Sequence, residues 1–91
     1  MQNEYECYRL MEIKLQLPHV YDNWDSLFDW LTDLSWIADK DIFIEIVNLD
    51  MSFINDIESK NIFIELLDDV STYWDNHVNI APFFKKVMII Y

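Results

Sequence analysis

Between residues 17 and 34 apolar and polar positions recur at helical spacing. At 100° per residue, Trp24, Leu27, Trp30, Leu31 and Leu34 gather on one side. Asp22, Asp25, Asp29 and Asp33 gather on the opposite side when the cap is counted with the helix, and Phe28 and Thr32 border this acidic stripe. Pro18 ends whatever precedes it, and Asp22 or Asn23 supplies the cap. The spacing predicts an amphipathic helix reaching about Leu34, with Trp24, Leu27, Trp30 and Leu31 in the core. Like charges at i, i+4 destabilise their own helix by a few tenths of a kcal/mol per pair. A ladder of them therefore serves solubility or a cationic partner.

The rest of the pattern is shorter. Residues 4–16 fit a helix loosely, but the alternation around Tyr8 and Leu10 also permits a strand. Residues 35–41 connect to 42–47, an apolar, β-branched run that suits a strand buried on both faces. Residues 48–57 read as a turn or short helix. Ser59 or Asn61 starts a longer helix to about Asn76, with Ile62, Leu66, Val70 and Tyr73 on one stripe and Phe63, Leu67 and Trp74 on another. Pro82 blocks its extension, and residues 87–91 read as a buried terminal strand. Two apolar strands joined through a long helix imply a parallel pair with a right-handed crossover. The expected fold class is α/β: a small layer structure with a short parallel sheet of two or three strands packed with three or four helices.

Composition narrows the chemistry. The 91 residues suit one small domain, and 53% hydrophobic content supplies a core. No apolar run is long enough to span a membrane, and the acidic N-terminus lacks the pattern of a signal sequence. A lone cysteine, Cys7, forms no internal disulfide, which fits a reduced, cytoplasmic setting. Seventeen acids against six bases give a net charge of −11, which argues against direct binding to nucleic acid or anionic lipid and favours a basic protein partner. Glycine is absent, which removes every Gly-rich phosphate loop. Positions needing positive φ are left to Asn or Asp. Asp25 and Asp29 lie on an open helix face with no histidine beside them; His19 and His77 fall elsewhere, and Cys7 has no recognisable catalytic partner. Catalysis, a metal and a cofactor are accordingly not expected.

Residues 17–34 resemble the barstar family, small intracellular inhibitors of bacterial ribonucleases. The resemblance rests on Pro18, Tyr21 and the run Asn23-Trp24-Asp25-Ser26-Leu27-Phe28-Asp29-Trp30-Leu31. It continues in order and hydrophobicity through 42–47, 66–74 and 87–91. There are departures. The loop before the helix is one residue shorter, with Asp22 in place of glycine. Val20 stands where a tyrosine is presented to the target, and Leu34 where an interfacial tryptophan is expected, with Trp36 close by. The family opens with a strand before its first helix, for which seventeen residues are tight. Its later acidic contact falls near Thr72, Asp75 and Asn76; Asp68, Asp69 and Asp75 otherwise read as helix-surface charges, one of which can join the contact.

The resemblance implies a barstar-like domain over residues 1–91 that inhibits a basic bacterial ribonuclease by occluding its active site, as an immunity protein or antitoxin. The implied contact residues are Tyr21, Asn23, Asp25, Phe28, Asp29 and Thr32, with Asp29 central. A carboxylate on a rigid helix can take the place of RNA phosphate, because Arg accepts both in the same two-pronged geometry. The free inhibitor is expected to be monomeric and cytoplasmic. The alternative is an acidic, nucleic-acid-mimicking protein directed at another nuclease or defence complex.

Overall fold

The computed structural model describes residues 1–77 and 85–91. Helix α1, Glu4–Leu15, settles the ambiguous first segment. Asn3 is extended, and its side-chain oxygen accepts the Glu6 N–H at 2.9 Å, satisfying one donor that the helix itself leaves unpaired. Glu4 and Glu6 in the first turn and Lys14 in the last complement the helix dipole. Cys7, Tyr8 and Met11 form its buried stripe. Among the described residues no strand precedes α1, where the resemblance implies one.

Helix α2 spans Trp24–Leu31, ending three residues short of the expected Leu34. Asn23 is the cap, not Asp22. Leu27 and Leu31 are fully buried, whereas Trp24 and Trp30 are half-buried and pack against the core from its edge. The Trp24 ring lies between Tyr8 and Phe63, with centroids 5.0 and 6.0 Å away. Leu34 is fully buried with φ 54°, so it is not a surface contact. Trp36, half-buried, donates its indole N–H to the Leu15 carbonyl at 3.1 Å and ties the following loop to the end of α1.

Strand β1, Asp41–Glu45, leads through a 3-10 turn at Leu49–Met51 into α3, Ile57–Asn76. Asp56 caps α3 by accepting the Ser59 N–H at 3.1 Å. Phe63, Leu66, Leu67, Val70 and Trp74 are its buried face. Burial of each such large side chain stabilises by roughly 1.5–3 kcal/mol. The Trp74 indole donates to the Leu31 carbonyl at 2.8 Å, giving the end of α2 a buried partner in α3. Pro82, the expected helix blocker, lies outside the described residues.

Strand β2, Lys86–Ile90, pairs parallel with β1 in the register Asp41↔Lys86 to Glu45↔Ile90. Two strands alone are marginal in water; here α3 packs on β2 and on α2. Ile44 and Val87 turn into the core. The expectation that 42–47 is buried on both faces fails: Phe43 is 60% exposed, and among the described residues no helix covers the outer side of β1. Lys85 is buried and its ammonium donates to the carbonyls of Ile37 and Asp39, joining the entry of β2 to the loop before β1. The architecture is the small α/β layer structure expected, with three helices and a two-stranded parallel sheet among the described residues. No helix in them is long and apolar enough to cross a membrane.

Candidate functional site

The loop between α1 and α2 is held from both sides. Arg9 of α1 donates to the Val20 carbonyl at 2.9 Å and to the Asp22 carboxylate at 2.6 Å. Glu12, one turn on, accepts the Val20 N–H at 2.7 Å. Val20 itself is fully buried, so the loop is pinned by a side chain in the core and three bonds to α1. Asp22 has φ 30°, and its carboxylate belongs to this anchor rather than to the stripe on α2.

The cap continues the same network. Asn23 accepts the Ser26 N–H at 2.7 Å and donates its amide to the Tyr21 carbonyl at 2.5 Å. Ser26 accepts the Tyr21 N–H at 3.1 Å. Tyr21 is thereby fixed by its backbone while its ring stands 67% exposed, edge-on to His19 with centroids 4.7 Å apart. Val20 and Tyr21 thus divide the work: the first anchors, the second is presented.

Asp25 and Asp29 follow on the outer face of α2, one turn apart and exposed, opposite the buried Leu27 and Leu31. Among the described residues neither forms an ion pair. With Tyr21, Asn23, Ser26, Trp30 and Asp33 they line an open depression of about 440 Å³. Asp33 lies beyond the helix, where its carboxylate accepts the Ser35 N–H at 3.2 Å. The ladder on α2 therefore has two rungs, with Asp22 before it and Asp33 after it.

A second depression, of about 310 Å³, runs between α2 and α3. Trp24, Asp25 and Phe28 form one wall, and Ile62, Glu65, Leu66 and Asp69 the other. Asp25 belongs to both depressions, so the acidic surface is continuous from Asp33 through Asp25 to Glu65 and Asp69. Phe28 is half-buried against the core and lines this second groove. Thr32 closes α2, its hydroxyl donating to the Phe28 carbonyl at 2.9 Å, and lines neither depression. Nor do Thr72, Asp75 and Asn76.

Trp30 and Glu65 extend the surface beyond the contact residues read from the sequence, and of Asp68, Asp69 and Asp75 it is Asp69 that lines it. Trp30 looks like core by spacing, but its indole donates to the His19 carbonyl at 3.2 Å and leaves part of the ring at the surface. Glu65 and Asp69 are one turn apart on α3, a spacing visible in the sequence, but their place beside Asp25 depends on how α3 meets α2.

Such a surface can accept charge-assisted hydrogen bonds from Arg and Lys and offers flat apolar contact beside them. Among the described residues no three His, Cys, Asp or Glu side chains converge on a metal position. The Cys7 thiol is in the core, where burial pushes its pKa up to about 12 and keeps it protonated.

No curated protein and no solved structure matches the chain. A family model described as Barstar (barnase inhibitor) matches residues 1–85 of the 91. The chain belongs to the barstar family, and membership implies a ribonuclease-inhibitor-like role, in a family of inhibitors rather than enzymes.

Proposed function

We propose that this barstar-family chain inhibits a basic ribonuclease toxin by seating the outer face of α2 in the enzyme's phosphate-binding cleft. The reading is carried by one observation: Asp25 and Asp29 stand exposed one turn apart on a helix whose start is bonded to α1 and whose end is bonded to α3. Carboxylates held that way meet a cationic cleft without a large ordering cost, which is what preorganisation contributes to affinity. Arg in the cleft takes each carboxylate as it would take phosphate. Asp29 is the central contact, with Asp25 beside it. Tyr21 supplies an exposed aromatic at one rim and Phe28 an apolar edge at the other. Glu65 and Asp69 add charge from α3, and Asn23 and Thr32 serve by fixing the two ends of the helix. The chain works as one domain, as a monomeric immunity protein or antitoxin in the cytoplasm, where its single thiol stays reduced.

Titration of the protein and of Asp29→Ala into barnase, by calorimetry and by inhibition of RNA cleavage, tests the reading. The wild type is expected to bind and inhibit. Asp29→Ala is expected to lose at least about 2 kcal/mol, roughly thirtyfold in Kd, because the enzyme's cations are left buried and unpaired. Its melting temperature stays at the wild-type value, since the side chain is exposed and unbonded. A wild type that leaves barnase active, or a mutant that binds as tightly as the wild type, overturns the assignment.

A further inference from the structure

Side chains from both flanking helices hold the loop that carries Tyr21. The Trp30 indole of α2 donates to the His19 carbonyl at 3.2 Å. Glu12 of α1 accepts the Val20 N–H at 2.7 Å, and Arg9 donates to the Val20 carbonyl at 2.9 Å. Ser26 and Asn23 take the Tyr21 N–H and carbonyl. Each backbone polar group from the His19 carbonyl to the Tyr21 carbonyl thus has a side-chain partner. Arg9 is the hub on the α1 side. The same terminal nitrogen that bonds Val20 also donates to the Asp22 carboxylate at 2.6 Å and lies 3.4 Å from that of Glu12. It holds the residues on either side of Tyr21 at one point. Asp22 has φ 30°, a conformation that glycine adopts more readily than a residue with a Cβ, and the bond to Arg9 opposes its relaxation. The paired side chains are 43% and 61% exposed, so their net contribution to stability is small; what the pair restricts is the loop. Neither Arg9 nor Glu12 lines the acidic depressions, whereas Tyr21 lines the one along α2.

We propose that Arg9 is a positioning residue of the inhibitory surface: it fixes residues 20–22 so that Tyr21 meets a basic ribonuclease already in place. This rests on the inhibition proposed above. A side chain that has to be ordered on docking costs affinity, and one held beforehand does not. The charge of Arg9 works the other way, since a cation beside this loop repels a basic partner. The two effects have opposite signs, which lets substitution separate them. Arg9→Met removes the charge and the donors, keeps the aliphatic stem and takes the net charge from −11 to −12. Lys14→Met makes the same charge change at an exposed position of the same helix, beside β1 rather than the loop.

Two measurements at physiological salt test the proposal. In the free protein, NMR relaxation reads backbone order. The Tyr21 and Asp22 amides are expected at an order parameter of about 0.85 in the wild type and below about 0.6 in Arg9→Met, with Leu27 and Leu31 of α2 unchanged. Calorimetric titration into barnase reads binding. Lys14→Met is expected to bind at least as tightly as the wild type. Arg9→Met is expected to bind about three- to tenfold more weakly despite its extra negative charge, because the loop must now be ordered on docking. In a Tyr21→Ala background the same substitution is expected to cost less than about twofold, because the ring it positions is gone. An arginine that only stabilised the fold would lower the melting temperature without this coupling. Arg9→Gln, which keeps a polar side chain at this half-exposed position, repeats each measurement, so the outcome does not hang on the folding of one variant. Failure of the wild type to bind barnase overturns the inhibition on which the proposal rests. With wild-type binding intact, any of three results overturns the role of Arg9 alone: unchanged loop order, binding by Arg9→Met as tight as by Lys14→Met, or an equal loss with and without the Tyr21 ring.

Discussion

Cys7 is the only thiol in the chain, and the core around it sets how the protein responds to alkali. Its ordinary pKa of 9.0 is raised to about 12, first by burial, with the N-terminal ammonium opposing. Below pH 9 both the folded and the unfolded thiol hold their proton, and stability does not depend on it. Between pH 9 and 12 the unfolded thiol gives up its proton while the folded one keeps it. The unfolded state then binds fewer protons, so stability falls as pH rises and the whole contribution is gone above the folded value. Tyr8 beside it is raised too, by burial first and then by the Glu4 carboxylate that accepts its hydroxyl at 3.3 Å, and it acts in the same direction from about pH 10. The urea midpoint is expected to be level from pH 7 to about 9 and then to decline. In Cys7→Ala it starts lower, because a small void is left, but stays level to about pH 10, where Tyr8 begins to titrate. Equal slopes for the two proteins between pH 9 and 10 would show that the thiol is not the group responsible. The same burial leaves the thiol without a nucleophilic role.

At the scale of elements the chain pays for having no glycine. Among the described residues five have positive φ: Gln16, Asp22, Leu34, Asn48 and Phe53. The sequence predicts Asn or Asp at such places, which holds for Asn48 and Asp22; at Leu34 and Phe53 burial of the side chain outweighs a backbone cost of about 1–2 kcal/mol. Gln16, which closes α1 at φ 54° with an exposed side chain, has no such compensation. Gln16→Gly is expected to stabilise by about 0.5–1 kcal/mol, read as a higher urea midpoint at unchanged slope. A midpoint at or below the wild type's would mean that the glutamine makes up its backbone cost elsewhere. Periodicity places the bodies of α2 and α3 by their apolar stripes but not their ends: α2 stops at Leu31 short of Leu34, and α3 starts at Ile57 behind the cap Asp56, not at Ser59 or Asn61 as the sequence suggests, because the Asp56 side chain takes the Ser59 N–H and Ser59 is buried within the first turn. It does not decide α1, whose stripe of Cys7, Tyr8 and Met11 is narrow and interrupted by exposed apolar residues such as Tyr5 and Ile13. It also misjudges β1: an apolar run reads as buried on both faces whether its outer side is covered or bare. The acids of α2 are legible in the site because they are local. Glu65 is not, nor is the choice of Asp69 among the acids of α3, because forty or more positions separate them from Asp25 and only the packing of α3 on α2 brings them together.

For the whole molecule the decisive quantity is the net charge of −11 and its distribution. Asp25, Asp29, Asp33, Glu65 and Asp69 border one stretch of surface, while Arg9 is already engaged by Asp22 and Lys85 by backbone carbonyls. The field in front of α2 and α3 is therefore negative and poorly offset. Such a field draws in a basic partner over distances of about a Debye length, roughly 10 Å at 0.1 M salt and about 3 Å at 1 M. If the proposed inhibition is right, two effects separate cleanly in stopped-flow mixing with the ribonuclease. Raising the salt from about 0.05 to 0.5 M lowers the association rate by about tenfold or more and leaves dissociation nearly unchanged, because the encounter is screened while the docked carboxylates are not. Asp29→Ala does the reverse: it takes the net charge only from −11 to −10, so association slows little, but dissociation accelerates because a docked pair is gone. Reversing one peripheral charge, Asp69→Lys, sits between them, with slower association, a shallower salt slope and a smaller effect on dissociation than Asp29→Ala. An association rate indifferent to salt would mean that the acidic face does not steer the encounter, even if Asp29 still makes the contact.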